Sequence, residues 1–109
     1  MTSVKVNDAG SIAPGQGVKI ETEIGPILVA NVGGTLCAIA NTCPHQGGDL
    51  SRGTIAEGIV TCPKHGSQFD LRTGRNVRGA KILFKTFVVE DARAYPVTAE
   101  GADLFVEIG

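Results

Sequence analysis

The sequence predicts an all-β domain of about eight to ten short strands, arranged as an antiparallel β-sandwich or small barrel. Apolar residues fall in short runs, and several runs alternate with polar residues, which is the period of a half-buried strand. Fifteen glycines and five prolines in 109 residues imply many turns, and many turns favour short strands over long helices. No stretch sustains a 3.6-residue apolar period for three turns after a helix cap.

The strands are predicted in order along the chain. Residues 4–6 and 18–22 alternate apolar and polar positions, whereas 27–30 and 36–40 are apolar runs joined by N-V-G-G. That junction predicts a hairpin with a glycine-dependent turn. A short helical turn is expected within residues 49–57. The remaining predicted strands are residues 59–61, 68–71, 84–89, 94–98 and 104–108.

The length of 109 residues corresponds to a single domain covering residues 1–109. Residues 41–76 form a glycine-rich insert between two predicted strands. Loops carried on a rigid β framework are where binding and chemistry concentrate. We therefore expect the functional residues in this insert.

The net charge of −1 excludes a protein that binds nucleic acid or anionic lipid through its overall charge. No segment approaches the ~18 consecutive apolar residues of a membrane span, and the first ten residues lack the pattern of a secretory signal. The odd number of cysteines argues against a disulfide framework. We expect a soluble, cytoplasmic, monomeric protein.

Two of the three cysteines and both histidines lie in the insert, as Cys43-x-His45 and, sixteen residues later, Cys62-x-x-His65. Thiolate and imidazole are ligands for zinc or iron. A single zinc ion held by all four side chains is one alternative, although zinc loops usually pair like with like. Loops that each carry one cysteine and one histidine favour a [2Fe–2S] cluster, because each loop can then supply one ligand to each iron.

The two loops read C-P-H-Q-G-G at residues 43–48 and C-P-K-H-G-S at residues 62–67. They resemble the cluster-binding loops of Rieske iron–sulfur proteins. The flanking segments G-G-T-L-C-A-I-A-N-T, G-S-Q-F-D-L-R-T-G and A-Y-P-V are similar to segments of the same family. The likeness covers nearly the whole chain and is strongest over residues 33–74. It implies a Rieske-like antiparallel β-sandwich with an inserted cluster-binding subdomain of two loops.

The resemblance implies one [2Fe–2S] cluster per chain, with Cys43, His45, Cys62 and His65 as its ligands. It is closest to the ferredoxin component of ring-hydroxylating dioxygenases, a one-electron carrier between a flavoprotein reductase and a terminal oxygenase. Gly47, Gly48 and Gly66 are expected to let backbone N–H groups approach the cluster sulfurs.

A low midpoint potential within the Rieske range is also expected. Gly48 and Lys64 stand where cytochrome bc Rieske proteins carry a disulfide, and Phe69 stands where those proteins carry a tyrosine hydroxyl. Fewer donors to the cluster stabilise its reduced form less. The hydroxyl of Ser67 acts in the opposite direction, because it could reach a cluster sulfide.

The chain is not expected to be an enzyme. A terminal oxygenase needs a second iron held by two histidines and a carboxylate, and the only two histidines here are assigned to the cluster. Two alternatives remain open at this stage: a small subunit of a larger reductase, resembling that of assimilatory nitrite reductase, and a structural zinc module.

Two further features concern residues outside the ligand set. Cys37 lies within an apolar run and is expected to pack as a small hydrophobic residue. Between positions 64 and 85 the chain carries one acid, Asp70, and six basic residues that are either a solvated face or a docking surface. These are Lys64, Arg72, Arg75, Arg78, Lys81 and Lys85.

Overall fold

The computed structural model describes residues 2–7, 9–44, 47–101 and 103–108. Over these residues the chain consists of antiparallel strands with 3-10 helices at Ala9–Ser11 and Leu50–Arg52. The predicted all-β class is confirmed. The strands are β1 Ser3–Lys5, β2 Gly17–Thr22, β3 Gly25–Val32, β4 Thr35–Ala40, β5 Thr54–Ala56, β6 Ile59–Thr61, β7 Gln68–Asp70, β8 Asn76–Arg78, β9 Ala80–Ile82, β10 Lys85–Phe87, β11 Ala94–Tyr95, β12 Val97–Glu100 and β13 Asp103–Glu107.

The central sheet has the order β11-β4-β3-β2. β3 and β4 form the predicted hairpin, in which Val32 pairs with Thr35 across a two-residue turn. Both turn residues, Gly33 and Gly34, have positive φ, as a type I′ turn requires. The side-chain oxygen of Asn31 accepts a hydrogen bond from the Gly34 amide and closes the turn.

Strand β3 lies between two apolar cores, which makes the molecule a sandwich. Leu28, Ala30 and Val32 point into one core, together with residues of the insert. Ile27 and Val29 point into the other core, with residues of β1 and β13. Because successive side chains of a strand point to opposite faces, a strand buried on both faces is apolar throughout rather than alternating.

The insert forms a second sheet of order β5-β6-β7-β8. Val60 and Phe69 pair across β6 and β7 and are completely buried against the central sheet. The helical turn expected within 49–57 is the 3-10 helix that starts after its N-cap, Asp49. This second sheet ends at Arg78, slightly beyond the predicted limit of 76.

The third sheet, β1-β13-β12, covers the opposite face of the central sheet. Val106 of β13 is completely buried there. No helix among the described residues combines the length and the apolar character of a membrane span.

The predicted strand count of eight to ten is wrong, since thirteen strands lie within the described residues. Strands β5, β8 and β9 lie outside every predicted strand, and the run predicted at 94–98 divides into β11 and β12. The run predicted at 84–89 forms a strand only over Lys85–Phe87, and Val88 is fully exposed outside it.

Gly74 illustrates how tightly the insert is joined to the rest of the chain. Its φ is +79°, and a Cβ atom there would overlap the Ala92 carbonyl oxygen. Gly101 has a similar φ of +62°, but among the described residues, its chain neighbours aside, none places an atom within 4 Å of its Cβ position. Both glycines therefore have a positive φ, but only Gly74 lies in close contact with the backbone of another segment.

We expect Gly74→Ala to lower the free energy of unfolding by about 3 kcal/mol, because backbone strain and overpacking add. Gly101→Ala should lose only about 1 kcal/mol, from the positive φ alone. Urea unfolding of the two cluster-loaded variants measures the difference. Equal losses would show that the contact with Ala92 can relax without cost.

Candidate metal centre

The first cysteine loop follows β4 and is closed by two backbone hydrogen bonds. The Cys43 amide donates to the Gly48 carbonyl at 2.8 Å, and the Gly47 amide donates to the Cys43 carbonyl at 3.1 Å. Gly47 has a φ of +71°, which glycine adopts without steric cost. The predicted ligand His45 lies outside the described residues.

The second cysteine loop, between β6 and β7, repeats this pattern. The Cys62 amide donates to the Ser67 carbonyl at 2.7 Å, and the Gly66 amide donates to the Cys62 carbonyl at 3.1 Å. Gly66 has a φ of +74°, close to that of Gly47. Both loops share the sequence C-P-x-x-G. That this sequence produces the same backbone geometry in both loops is visible only in the structure.

The two loops meet at Gly48. A Cβ atom on Gly48 would lie 2.5 Å from the Cys62 sulfur, 3.4 Å from Cβ of Lys64 and 3.6 Å from Cβ of Cys43. The first distance is shorter than a Cβ atom can approach, so a side chain at this position would require the Cys62 sulfur or the loop to shift. The backbone of one loop therefore lies directly against the cysteine sulfur of the other.

The two cysteines are enclosed, whereas Pro44, Pro63 and Lys64 beside them are exposed. Cys43 and Cys62 are buried in the same apolar core as β3. His65 is half-buried with its Nδ1 atom enclosed, and Lys64 beside it is exposed. Among the described residues, which omit His45, no three side chains are grouped as ligands of one metal ion.

Ser67 is a buried polar residue whose hydroxyl finds no acceptor or donor within the described part of the chain. Its side chain is 1% exposed. A buried hydroxyl without a partner costs about 1–3 kcal/mol. Cluster sulfur next to Cys62 would accept this hydrogen bond, so the residues present fit an iron–sulfur cluster.

A network of polar side chains holds the base of the first loop. The Asp49 carboxylate accepts hydrogen bonds from the Asn41 side-chain amide at 2.7 Å and from the Ser51 hydroxyl at 2.6 Å. Its other oxygen lies 3.3 Å from the Lys19 amine. The hydrogen bonds from Ser51 and Asn41, with a smaller effect of Lys19, lower the pKa of Asp49 below its usual range.

Arg78 holds the second loop. Its guanidinium donates to the Gly66 carbonyl at 2.9 and 3.2 Å. Sequence reasoning placed Arg78 only in a basic segment, because a contact between Arg78 and Gly66 is not visible in the spacing. Asn41 and Asp49 were missed for the same reason, although an Asp before a short helical turn is a capping signal.

Cys37 lies outside both loops. It is half-buried and packs against the apolar core of the insert, as predicted. Burial raises the pKa of its thiol, with a smaller opposing effect of Arg72. No disulfide links any of the three cysteines to another described residue.

An antiparallel sandwich that brings two matched cysteine loops together at one edge defines a β-sheet iron–sulfur domain. A family model described as the Rieske [2Fe-2S] domain matches residues 2–82. The ferredoxin component of biphenyl 2,3-dioxygenase from Rhodococcus jostii (strain RHA1) is 35% identical over 99% of this chain and 94% of that protein.

Solved structures give the same result. The ferredoxin of carbazole 1,9a-dioxygenase from Nocardioides aromaticivorans IC177 is 28% identical with a TM-score of 0.78, over 97% of each chain. A chain in the complex of reduced oxygenase and oxidized ferredoxin in carbazole 1,9a-dioxygenase is 26% identical with a TM-score of 0.79, over 95% of this chain and 91% of that one.

The chain belongs to the Rieske [2Fe–2S] family, among the ferredoxin components of ring-hydroxylating dioxygenase systems. It binds a Rieske [2Fe–2S] cluster and carries electrons to a terminal oxygenase, and it is not itself the oxygenase. The family, the cofactor and the role predicted from the sequence are confirmed. The matches do not favour the zinc module or the reductase subunit that were left open.

Glycine substitutions at the first loop should separate steric fit from backbone strain. Gly48→Ala puts a methyl group against the Cys62 sulfur without a demanding φ. We expect loss of cluster to a chelator to become about tenfold faster or more, measured by visible absorption and by iron and sulfide content.

Gly47→Ala is the matched variant, since its Cβ would lie 3.9 Å from the nearest described atom, in Thr42, but its φ is positive. It should lower the free energy of unfolding by about 1 kcal/mol and retain the cluster. Equal retention of the cluster by both variants would contradict the proposed contact between Gly48 and the sulfur.

Asp49→Asn should lower the free energy of unfolding at pH 7 by about 1–3 kcal/mol, because buried donors lose a charged acceptor. The folded-state pKa of Asp49 is depressed, so its stabilisation is present above the ordinary pKa near 3.8 and is lost as the pH falls below it. The difference from the parent protein should therefore shrink below about pH 4.

Asp103→Asn is the control for this prediction, because Asp103 forms an exposed ion pair with Lys5 that contributes little. Urea unfolding followed by circular dichroism from pH 7 down to about pH 2.5 covers the range in which this stabilisation is lost. A difference that stays constant across this range would rule out the charge of Asp49 as the cause.

Proposed function

We propose that this chain transfers single electrons from a flavin-dependent reductase to the terminal oxygenase of an aromatic-ring dioxygenase, through a cluster held by Cys43, His45, Cys62 and His65. One observation carries the proposal: two loops closed by the same backbone hydrogen bonds meet where Gly48 lies against the Cys62 sulfur. The cluster supplies the one-electron chemistry, and this chain supplies the ligands and their surroundings.

The ligand assignment rests on donor chemistry and on burial. Two thiolates and two imidazoles are the Rieske ligand set. Cys43 and Cys62 are buried and hold the inner side of the site, whereas His65 is half-buried beside the exposed Lys64. We therefore assign the histidine edge as the place where electrons leave toward a partner.

The low potential expected from the sequence remains part of the proposal. Phe69 is completely buried in the apolar core and carries no hydroxyl to donate. Gly48 and Lys64 cannot form a disulfide, which leaves Ser67 as the side-chain donor that the structure supplies at the site. We expect a midpoint in the lower part of the Rieske range of about −150 to +300 mV.

The reductase and the cytoplasmic location are inferred from the role of the protein. A carrier that serves an oxygenase needs an electron source, and flavoproteins divide the two electrons of a nicotinamide cofactor into single steps. Three cysteines that form no disulfide among the described residues fit a reducing compartment. We propose that the chain works as a monomer. We also propose that it is one domain, because its two apolar cores share β3.

The substrate class of the oxygenase is inferred from the relatives. They serve biphenyl and carbazole dioxygenases, and both of those compounds join two aromatic rings. We propose an aromatic substrate for the oxygenase that this chain supplies. Nothing in this chain contacts that substrate, because the carrier contributes the electron and not the active site.

Replacing a ligand should remove the cluster, whereas replacing the remaining cysteine should not. We expect Cys62→Ser and His65→Ala to lose most of the visible absorption and of the bound iron and sulfide, because the donor set is then incomplete. Cys37→Ser is the control and should retain the cluster, the EPR signal of the reduced protein and the midpoint potential.

Electron transfer is tested by mixing the reduced protein with a terminal oxygenase and following the absorbance change by stopped flow. Parent protein and Cys37→Ser should be reoxidised at equal rates. Zinc without acid-labile sulfide in the purified protein, or a His65→Ala variant with an unchanged spectrum, would overturn the ligand assignment. A cluster-loaded protein that no oxygenase reoxidises would overturn the carrier role.

A further inference from the structure

The hairpin of β9 and β10 presents apolar side chains that the rest of the chain does not cover. Leu83 is 93% exposed, Phe84 is 103% exposed, and Val88 after the second strand is 100% exposed. The largest side chains of a soluble domain normally contribute to its core. Here two of them form the tip of a turn in solvent.

The conformation of this turn makes the choice of residues more unusual. Ile82 pairs with Lys85 across a two-residue turn, and its first residue, Leu83, has a φ of +58°. That position normally carries glycine, and a bulky residue there is an outlier. Leu83 has a strained backbone and its side chain is almost fully exposed. A strained residue of this kind indicates a function, and we look for that function in contacts with another protein.

The hairpin is anchored at its base and projects from there. Ala80 and Val89 are buried in the core that also contains Cys43 and Cys62. Among the described residues, β9 and β10 pair only with each other. An isolated two-stranded hairpin is marginally stable in water, so contact with a partner would stabilise it.

The hairpin leaves the fold at the edge that carries the second cysteine loop. Arg78, two residues before β9, pairs with Gln68 and donates to the carbonyl of Gly66 within that loop. The chain continues from this point directly into the hairpin. The apolar tip is therefore connected by one short segment to the loop of Cys62 and His65.

We propose that Leu83 and Phe84 at the tip of the hairpin, together with Val88 at its base, form a docking spur for the terminal oxygenase, and that the tip inserts into an apolar groove beside the point where the oxygenase accepts electrons. This inference rests on the proposed function and names the surface that the carrier uses. A few side chains that fill well-packed pockets near the centre of an interface supply most of its binding energy.

The charges around the spur specify the chemistry of the partner. Four basic residues are exposed on the loop, the connecting segment and the hairpin, namely Lys64, Arg75, Arg78 and Lys85. The exposed acids Glu90 and Asp91 follow the hairpin, so the surface is mixed but basic overall. An acidic rim around an apolar groove complements this arrangement. A second copy of this chain would bring like charges together, which disfavours self-association through the same surface.

The test compares Phe84→Ser and Leu83→Gly with the parent protein. The probe is the terminal oxygenase encoded nearest to this ferredoxin in its own genome, and calorimetry measures its affinity for the cluster-loaded variants. Each variant should bind about tenfold more weakly or worse. Leu83→Gly should not lower the melting temperature, because glycine relieves the positive φ.

Val18→Ser is the control, since Val18 is also exposed and pairs with Val29, which packs in the core without the cysteines. It should bind within about twofold of the parent protein. All variants should retain the visible spectrum and the midpoint potential, so that weaker binding is not a loss of cluster.

The outcomes separate this inference from the proposed function. Parent protein that reduces the oxygenase while both spur variants bind equally well would overturn the spur and leave the carrier role intact. Variants that only slow reduction by the reductase, or that only abolish self-association, would also overturn it. Parent protein that neither binds nor reduces the oxygenase would overturn the carrier role itself.

Discussion

Close approach between two backbone loops is the constraint on which the site depends. Gly48 lies against the Cys62 sulfur, where a side chain would require that sulfur or the loop to shift, and each loop is closed by the same pattern of two backbone hydrogen bonds. Two further sets of hydrogen bonds hold the loops in position. The carboxylate of Asp49 fixes the base of the first loop, and the guanidinium of Arg78 fixes the second loop. A site built in this way is preorganised by its framework.

The apolar core of the sandwich also holds the two proposed cysteine ligands in place. Cys43 and Cys62 are members of the apolar core that β3 and β4 form with the insert. Moving either sulfur would therefore disturb packed side chains such as Val60 and Phe69, which is costly in a close-packed interior. A carrier benefits from this, because ligands that move little between redox states keep the cost of electron transfer low.

The sequence predicted some elements well and others poorly, and the difference is physical. The hairpin of β3 and β4 was predicted because its turn needs glycine and its strands are apolar. The three-residue strands β5, β8 and β9 were missed, since their pairing depends on neighbours rather than on their own residues. The spur was mistaken for part of a strand over 84–89, because apolar residues indicate burial on average, and here the tip is exposed.

The sequence by itself determined the chemistry of the centre, because the residue types and their order along the chain are covalent facts. Two cysteine–histidine pairs in one insert predicted a metal centre and favoured a diiron cluster over zinc, and the resemblance of the loops to those of Rieske proteins implied the electron carrier. Only the tertiary structure decided which groups surround the cysteines: the unsatisfied hydroxyl of Ser67, the clamp from Arg78 to Gly66 and the projection of Leu83 and Phe84. Each of these features depends on whether segments that are distant in the sequence contact one another. Tertiary packing determines such contacts, and the local sequence does not.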